Sequence, residues 1–399
     1  MLRKMPKIDA AILFLYTFSF FFTGVPVWRR GVRSANLHWH FLASFLLLMR
    51  LLYKSDSYQS MFNRIVLPSR KLTLFFIYSA CLYLYYIPEY GLSNSIVSMT
   101  YTFGMISVVY SLYRNRSMMD IQQVIVAAYL VALVIILIHT GFQASEIIRF
   151  LRSGGAGVHP NFKSLVGGGG NLQSTLCGMF AVFTMRKPYG IIVWYITLAI
   201  SAMYASRTGI VINLMVIMWY LVFVKGINTK TILIILPAVV VMFIVMIYSS
   251  AGSIVIERFM NTAEDGGSGR STLWAEALEV IEQYPFGVGC GHVMYAIEKV
   301  NSVVRGENNA HNIYIQYITE HGIIFGALFL IMSISWVLKH EFKQRFQNPF
   351  GVFTLIYFVQ GLAQSTGIDT WVIVVVGSYF VSRWQEKNKI LDVGFSVQT

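Results

Sequence analysis

The chain has 399 residues, of which 56% are hydrophobic and 12% are charged, and its mean hydropathy is +0.60. A soluble core of this size would need far more polar surface, so the composition excludes a soluble globular protein and predicts an integral membrane protein. The net charge of +13 agrees with anionic membrane lipids as partners, and we expect no nucleic-acid partner. The three cysteines have neither metal-ligand spacing nor the spacing of a disulfide framework.

Apolar segments of roughly 16 to 20 residues follow one another along the chain, and this is the length of a membrane-spanning helix. The first segment lacks a small-residue cleavage site, so we expect a spanning helix there and not a signal peptide. The expected fold class is an all-α integral membrane protein. We predict about twelve spans, at 9–25, 37–53, 72–88, 93–113, 120–139, 169–185, 189–206, 208–224, 231–249, 316–338, 349–366 and 369–383.

One long polar segment interrupts this pattern and cannot lie in lipid. We therefore divide the chain into transmembrane helices 1–9 in residues 1–249, a catalytic loop in residues 250–315, and helices 10–12 with a tail in residues 316–399. Of the 31 Lys and Arg residues, twenty fall on the side of the N-terminus and eleven on the other side. This bias predicts that both termini are cytoplasmic and that the long loop lies outside. A cluster of Arg29, Arg30 and Arg33 is the main exception.

The outer connections contain nine Arg and two Lys. The planar guanidinium binds phosphate or carboxylate in a bidentate manner, whereas the ammonium of Lys is a hydrated point charge. The bias suggests that anions are recognised on the outer side, although numbers this small also arise by chance. Arg258 and Arg305 in the long loop are candidate substrate-binding residues on this ground.

The long loop contains several short elements of different kinds. A glycine-rich acidic run at 263–269 precedes an amphipathic helix predicted from Trp274 to Glu282. In this helix Trp274, Leu278 and Ile281 are spaced to form one apolar face. A turn with three glycines follows at 285–291. Short amphipathic helices of this kind are expected to lie along the membrane surface or to cap the bundle.

A second outer loop, about Gly141–Gly170, ends in four consecutive glycines at 167–170. Such a run provides either a hinge or a position where two backbones approach closely, because glycine has no Cβ atom. A flexible connection without further role is an equally good interpretation.

Arg207 lies in the segment Ser206-Arg-Thr-Gly209, between two apolar runs with almost no loop. A charge so near the membrane edge is costly unless it is paired or faces a wet cavity, so a functional role is the first hypothesis. The alternative is a topological anchor whose long side chain reaches the interface. Anchors of that kind belong on the inner side, and Arg207 is predicted on the outer side.

Arg270 follows the glycine-rich run and stands just before the predicted helix of the loop. A cation and free backbone N–H groups at a helix N-terminus both attract phosphate. A solvated loop arginine is the alternative.

His311 precedes a helix that is predicted to enter the membrane. Histidine titrates near neutrality and can accept a proton from an attacking hydroxyl, although a lone histidine more often has a structural role. His321 lies ten residues further on and could face the same side.

Together these segments resemble the O-antigen ligase/polymerase superfamily of bacterial inner-membrane glycosyltransferases. The resemblance covers roughly Leu172 to Ala327. It rests on the order, sidedness and spacing of short motifs: Ser206-Arg-Thr-Gly209 after an apolar helix, Gly269-Arg270 and Trp274 before Tyr284-Pro-Phe-Gly-Val-Gly289, and His311-Asn312 nine residues before Gly322. O-antigen ligases are most similar. In this chain the segment that begins at the motif glycine reads Gly322-Ile-Ile-Phe325. The ligases usually have Gly, Thr or Tyr where this chain has Phe325, and this departure favours the polymerase.

The resemblance implies a GT-C-like fold in the inner membrane with a periplasmic catalytic loop. The donor would be an O-antigen chain on undecaprenyl pyrophosphate and the acceptor lipid A–core, within a setting of membrane lipids. Arg207 and Arg270 would bind the pyrophosphate, and His311 would orient or deprotonate the acceptor hydroxyl, with Asn312 beside it in the acceptor site. Inverting transfer without a metal or other cofactor is expected.

Three other functions stay open. The polymerase would use the same donor and a second lipid-linked glycan as acceptor. A transporter or flippase suits twelve spans, but such proteins place charges or broken helices at mid-membrane, often in repeated halves. A structural membrane scaffold would leave the placement of the Arg and His residues unexplained.

Overall fold

The computed structural model describes residues 3–27, 38–92, 95–146, 149, 163–167, 169–204, 206–226, 270–302, 310–362 and 372–388. Within these ranges the secondary structure is helical, with one isolated bridge between Arg3 and Arg116. Before the long loop the helices are α1 Lys7–Ser19, α2 Trp39–Tyr53, α3 Tyr58–Arg64, α4 Arg70–Tyr90, α5 Ser95–Tyr113, α6 Met118–Phe142, α7 Gly169–Phe180, α8 Gly190–Met203 and α9 Arg207–Trp219. From the long loop onward they are α10 Arg270–Gln283, α11 Val293–Asn301, α12 Ile313–His321, α13 Ile323–Lys343, α14 Pro349–Gln360 and α15 Ile373–Lys387.

Five helices in the described residues are long and apolar enough to cross a membrane. They are α4, the stretch Ile96–Tyr113 of α5, α6, α9 with its continuation to Lys225, and α13. Helices α2, α8 and α14 are apolar but shorter. The all-α membrane class is confirmed, whereas the count of twelve spans stays a prediction. The predicted span 231–249 and most of the catalytic loop before Arg270 lie outside the described residues.

The predicted span 316–338 is wrong as a single helix. Gly322 interrupts it with φ +82°, a conformation that a residue with a Cβ atom rarely adopts, so α12 ends at His321 and α13 begins at Ile323. Position 322 also leaves no room for a side chain, because a Cβ there would lie 2.5 Å from the backbone of Phe286. The membrane-crossing helix is therefore α13, and α12 belongs to the loop.

The described connections gather at two ends of the bundle, and their assignment to the two sides that the charge count separates stays a prediction. At one end, buried Asp9 binds Arg50, Lys54 and Arg116 at 2.6, 3.0 and 3.0 Å. At the other end, which we name the loop end, the Gly91 carbonyl lies 3.0 Å from Nε2 of His292, the N-cap residue of α11. Which end faces the periplasm stays a prediction.

Helices α10 and α11 have a small apolar core of their own at the loop end. It also includes Tyr90 at the end of α4, and Ile315 of α12 packs against it. Its buried members are Tyr90, Leu273, Ala277, Val280, Val288, Val293, Met294, Ala296 and Ile297. Residues 270–302 of the long loop thus form a folded cap on the bundle.

Candidate active site

Arg207 is the first residue of α9 and is half-buried. Ser206 caps the helix, since its Oγ accepts a hydrogen bond of 3.1 Å from the Gly209 N–H. Below this turn, the buried amide of Asn213 accepts from Thr197 Oγ1 at 2.6 Å and donates to the Gly209 carbonyl at 2.8 Å. These bonds fix the start of α9 and therefore the backbone from which the guanidinium extends.

The glycine-rich end of the second outer loop opens α7, and it lies beside Arg207. A Cβ at Gly209 would lie 2.8 Å from Cβ of Ser174, so α7 and α9 touch at their N-terminal turns. A Cβ at Gly170 would lie 2.4 Å from the ring of Tyr204. Position 170 therefore requires glycine because the Tyr204 ring lies so close to its backbone. Gly168 lies outside the described residues.

Arg270 is the first residue of α10, so the helix begins four residues before the predicted start at Trp274. The predicted apolar face is wrong at Leu278, which is 53% exposed. The buried side chains of this helix are Leu273, Ala277, Val280 and Ile281. This face is turned toward the cap core because α10 packs against both α11 and α12.

Arg207 and Arg270 lie within electrostatic reach of each other. Burial lowers the pKa of the Arg270 guanidinium, and the positive charge of Arg207 lowers it further. The two residues are distant in sequence and begin different helices. The fold thus brings the positive charges of Arg207 and Arg270 within range of each other, which is an arrangement that favours an anion.

The segment that leads into His311 is hydrogen-bonded to the helix of Arg270. The indole Nε1 of Trp274 donates to the carbonyl of Ala310 at 2.8 Å. His311 itself is half-buried and has φ +51°, a left-handed conformation that non-glycine residues rarely adopt. Such conformations persist only where the surroundings hold them, and they cluster at functional sites.

Asn312 caps α12, and its side chain is engaged on both sides. Its Oδ1 accepts from the N–H groups of Tyr314 and Ile315 at 2.9 and 3.2 Å, while its Nδ2 donates to the Leu362 carbonyl at 3.2 Å. The structure gives Asn312 an architectural role that fixes His311 beside it. Substrate binding by Asn312 stays a prediction.

The glycine turn of the long loop packs against the C-terminal end of α12. The N–H groups of Val288 and Gly289 donate to the carbonyls of Thr319 and Glu320 at 3.0 and 2.9 Å. These carbonyls would otherwise be unsatisfied at a helix end. Gly287 has φ +93°, and a Cβ there would lie 2.5 Å from the Glu320 carbonyl oxygen.

Glu320 is a buried carboxyl that the sequence reasoning missed. Its Oε1 accepts from the Gly291 N–H at 2.9 Å and from Gln316 Nε2 at 3.0 Å. Burial raises its pKa to about 7, while these hydrogen bonds act in the opposite direction. The available signal was an acidic residue inside a predicted span, which is costly and therefore rarely accidental.

His321 does not join the site. It is fully buried, and its Nε2 lies 2.7 Å from Ser79 Oγ on α4. Arg258 and Arg305 lie outside the described residues, as do Arg29, Arg30 and Arg33. Among the described side chains, no three His, Cys, Asp or Glu residues are grouped as metal ligands would be.

These features define a class: an all-α membrane protein whose cap over the bundle joins two arginines and a histidine at one end. Residues 191–331 match the family model described as O-antigen ligase, and this range includes Arg207, Arg270 and His311. The resemblance is thereby confirmed over this range, and the match supports membership of the O-antigen ligase/polymerase superfamily of membrane glycosyltransferase-like enzymes. No curated protein matches the chain.

Proposed function

We propose that the protein is an O-antigen ligase, which transfers O-antigen polysaccharide from undecaprenyl pyrophosphate to lipid A–core at the periplasmic face of the inner membrane. The observation that supports this proposal is the electrostatic influence of Arg207 on Arg270: burial lowers the pKa of Arg270, and the charge of Arg207 lowers it further. Two guanidinium groups at one place suit a diphosphate, which carries more than one negative charge.

The arginines act on the leaving group. When the bond between the anomeric carbon and the pyrophosphate oxygen breaks, negative charge grows on that oxygen. Cations already held in position stabilise this charge without reorganisation, and loss of one such group in other enzymes costs a factor of about 10² to 10³. The repulsion between Arg207 and Arg270 is also relieved when an anion lies between them.

His311 acts on the acceptor. The acceptor hydroxyl oxygen forms the new bond to the anomeric carbon from the face opposite the pyrophosphate, so the configuration inverts. The hydroxyl proton passes to the imidazole of His311, and the electron pair of the broken bond leaves with the lipid pyrophosphate. General base catalysis of this kind contributes a factor of about 10² to 10⁴.

The surroundings of Phe325 bear on the choice between ligase and polymerase. The Phe325 ring stacks on Tyr78 with centroids 4.1 Å apart, and the side chain is 46% exposed. The position that excludes a side chain is the next one, since a Cβ at Gly326 would lie 2.5 Å from the Tyr317 carbonyl oxygen. Gly326 thus provides the small residue of the motif one position later than usual, and Phe325 is only a weak argument against a ligase.

The test is the lipopolysaccharide of cells that lack the gene, together with their pool of lipid-linked O-antigen. A ligase predicts that no O-antigen reaches lipid A–core while long undecaprenyl-linked chains accumulate. If single repeat units still reach the core and chains never lengthen, the protein is the polymerase. Transport of lipid-linked glycan across proteoliposomes by the protein alone would favour a flippase.

A further inference from the structure

Gln360, the last residue of α14, has a buried amide group without a hydrogen-bond partner among the described residues. The residue is 2% exposed, and neither Oε1 nor Nε2 finds a partner within the part of the chain that the structure describes. A buried amide that finds no hydrogen-bond partner destabilises the folded protein. The contrast with Gln173 is clear, because Gln173 is fully buried, accepts from the Leu165 N–H at 2.9 Å and donates to Tyr204 Oη at 3.2 Å.

The backbone that follows Gln360 lies directly against the start of α12. The Ile313 N–H donates to the Gly361 carbonyl at 2.7 Å, and Asn312 Nδ2 donates to the Leu362 carbonyl at 3.2 Å. Contact is so close that a Cβ at Gly361 would lie 2.4 Å from a methyl of Ile313. Gln360 is therefore one residue away from the backbone that holds His311 and Asn312.

The face of α14 that includes Gln360 turns toward α7. Phe353 lies seven residues earlier, which is two helical turns, so it shares this face. Its ring packs against Phe180 and Phe183 at 5.1 and 5.7 Å between centroids. Phe183 lies in the 3₁₀ turn Ala181–Phe183 that continues α7, and its pairing with Phe350 shows that α7 and α14 run in opposite directions.

This antiparallel packing fixes the depth of Gln360. Moving two turns from Phe353 toward the loop end, a rise of about 10 Å, corresponds on α7 to moving back from Phe180 to Gln173 and Ser174. Ser174 is the residue that touches Gly209 in the first turn of α9. Gln360 thus lies at the level of the helix turn that begins with Arg207, and beside the backbone of His311.

We propose that the amide of Gln360 binds a sugar hydroxyl of the glycan during transfer; this inference rests on the proposed function. The Oε1 atom needs a donor and the Nε2 atom needs acceptors. An ionised phosphate offers acceptors alone, whereas a hydroxyl offers both groups. The arginines are suited to the pyrophosphate, and the uncharged amide is suited to the sugar next to it or to the acceptor sugar.

The test compares Gln360→Leu with wild-type full-length protein in nanodiscs. Leucine is similar in size and has no polar atoms, so the thermal midpoint is expected to stay or rise because an unpaired amide has been removed. Transfer is expected to fall by about fivefold to tenfold, because the variant loses a hydrogen bond to the substrate. As a stability control, Gln173→Leu breaks bonds that exist in the free protein and should lower the midpoint.

The transfer rates of Gln360→Leu and of the wild-type protein are measured while the concentration of the lipid-linked donor, and then that of lipid A–core, is varied. A raised KM for the donor places the hydroxyl on the donor sugar, and a raised KM for the acceptor places it on the acceptor. Unchanged transfer by Gln360→Leu would mean that the amide binds water and would overturn the inference. A parallel fall in midpoint and activity would indicate a structural role and also overturn it. If wild-type protein performs no transfer, the proposed function itself fails.

Discussion

The indole of Trp274 donates a hydrogen bond of 2.8 Å to the carbonyl of Ala310, the residue immediately before His311. This bond connects the helix that begins with Arg270 to the segment that holds the histidine. It therefore couples the position of a candidate phosphate-binding residue to that of a candidate base.

The first prediction concerns this bond. Trp274→Phe keeps an aromatic ring and removes the donor, so the transfer rate should fall about fivefold to tenfold while the protein stays folded. The matched control is Trp219→Phe, which removes a similar bond of 2.9 Å to the Phe346 carbonyl at the opposite end of the bundle. Transfer should be kept in the control. Equal losses in the two variants would show that the effect is one of stability alone.

The arginine pair is tested by exchange for lysine. Arg207→Lys and Arg270→Lys keep the charges and lose the bidentate fork, so each should reduce kcat by about 10-fold to 100-fold. The double variant should lose less than the product of the two factors, because residues that bind one group are not additive. Arg64→Lys, an exposed position on α3, is the control. Full additivity would argue that the arginines act at separate places.

His311 is tested with its backbone conformation preserved. Because φ is +51°, His311→Gly removes the imidazole without backbone strain, so the thermal midpoint should hardly change. Transfer should fall by about 10² to 10⁴-fold if the imidazole is the base. Added imidazole should restore part of the activity. Activity near the wild-type level in His311→Gly would remove the histidine from the mechanism.

Glu320 predicts a dependence of stability on pH. Its pKa is about 7 in the folded protein against an ordinary 4.5, so the folded state holds the proton more tightly between these values. The stability that this proton provides is complete below about pH 4.5 and is lost as the pH rises through 7. The loss is on the order of 3 kcal/mol, from 1.36 kcal/mol per pKa unit.

Glu320→Gln stays neutral and keeps an oxygen that can accept from Gly291. Thermal midpoints of the two proteins, measured from pH 5 to pH 8, should diverge in favour of the variant as the pH rises. Parallel curves over this range would show that Glu320 is already ionised in the folded state.

Much of the site could be predicted from local sequence. Arg207 stood out because a charge between two apolar runs is costly, and Arg270 because it follows glycines and precedes an amphipathic helix. The error at Leu278 has a simple cause. Spacing shows that the helix has an apolar face, but a face shifted by one residue has nearly the same composition, so the spacing does not show which of the two is buried. The break at Gly322 was also missed, because a single glycine within an apolar run looks like part of a span.

The sequence by itself determined the membrane class, the helical content and the candidates Arg207, Arg270 and His311, because hydrophobic length and the cost of charge near lipid are local properties. Only the tertiary structure decided which of them meet. Three features depend on helix packing between residues far apart in the chain: the electrostatic influence of Arg207 on Arg270, the bond from Trp274 to Ala310, and the amide of Gln360, which has no partner among the described residues. Such packing is set by the mutual fit of whole helix faces, and no short segment encodes it.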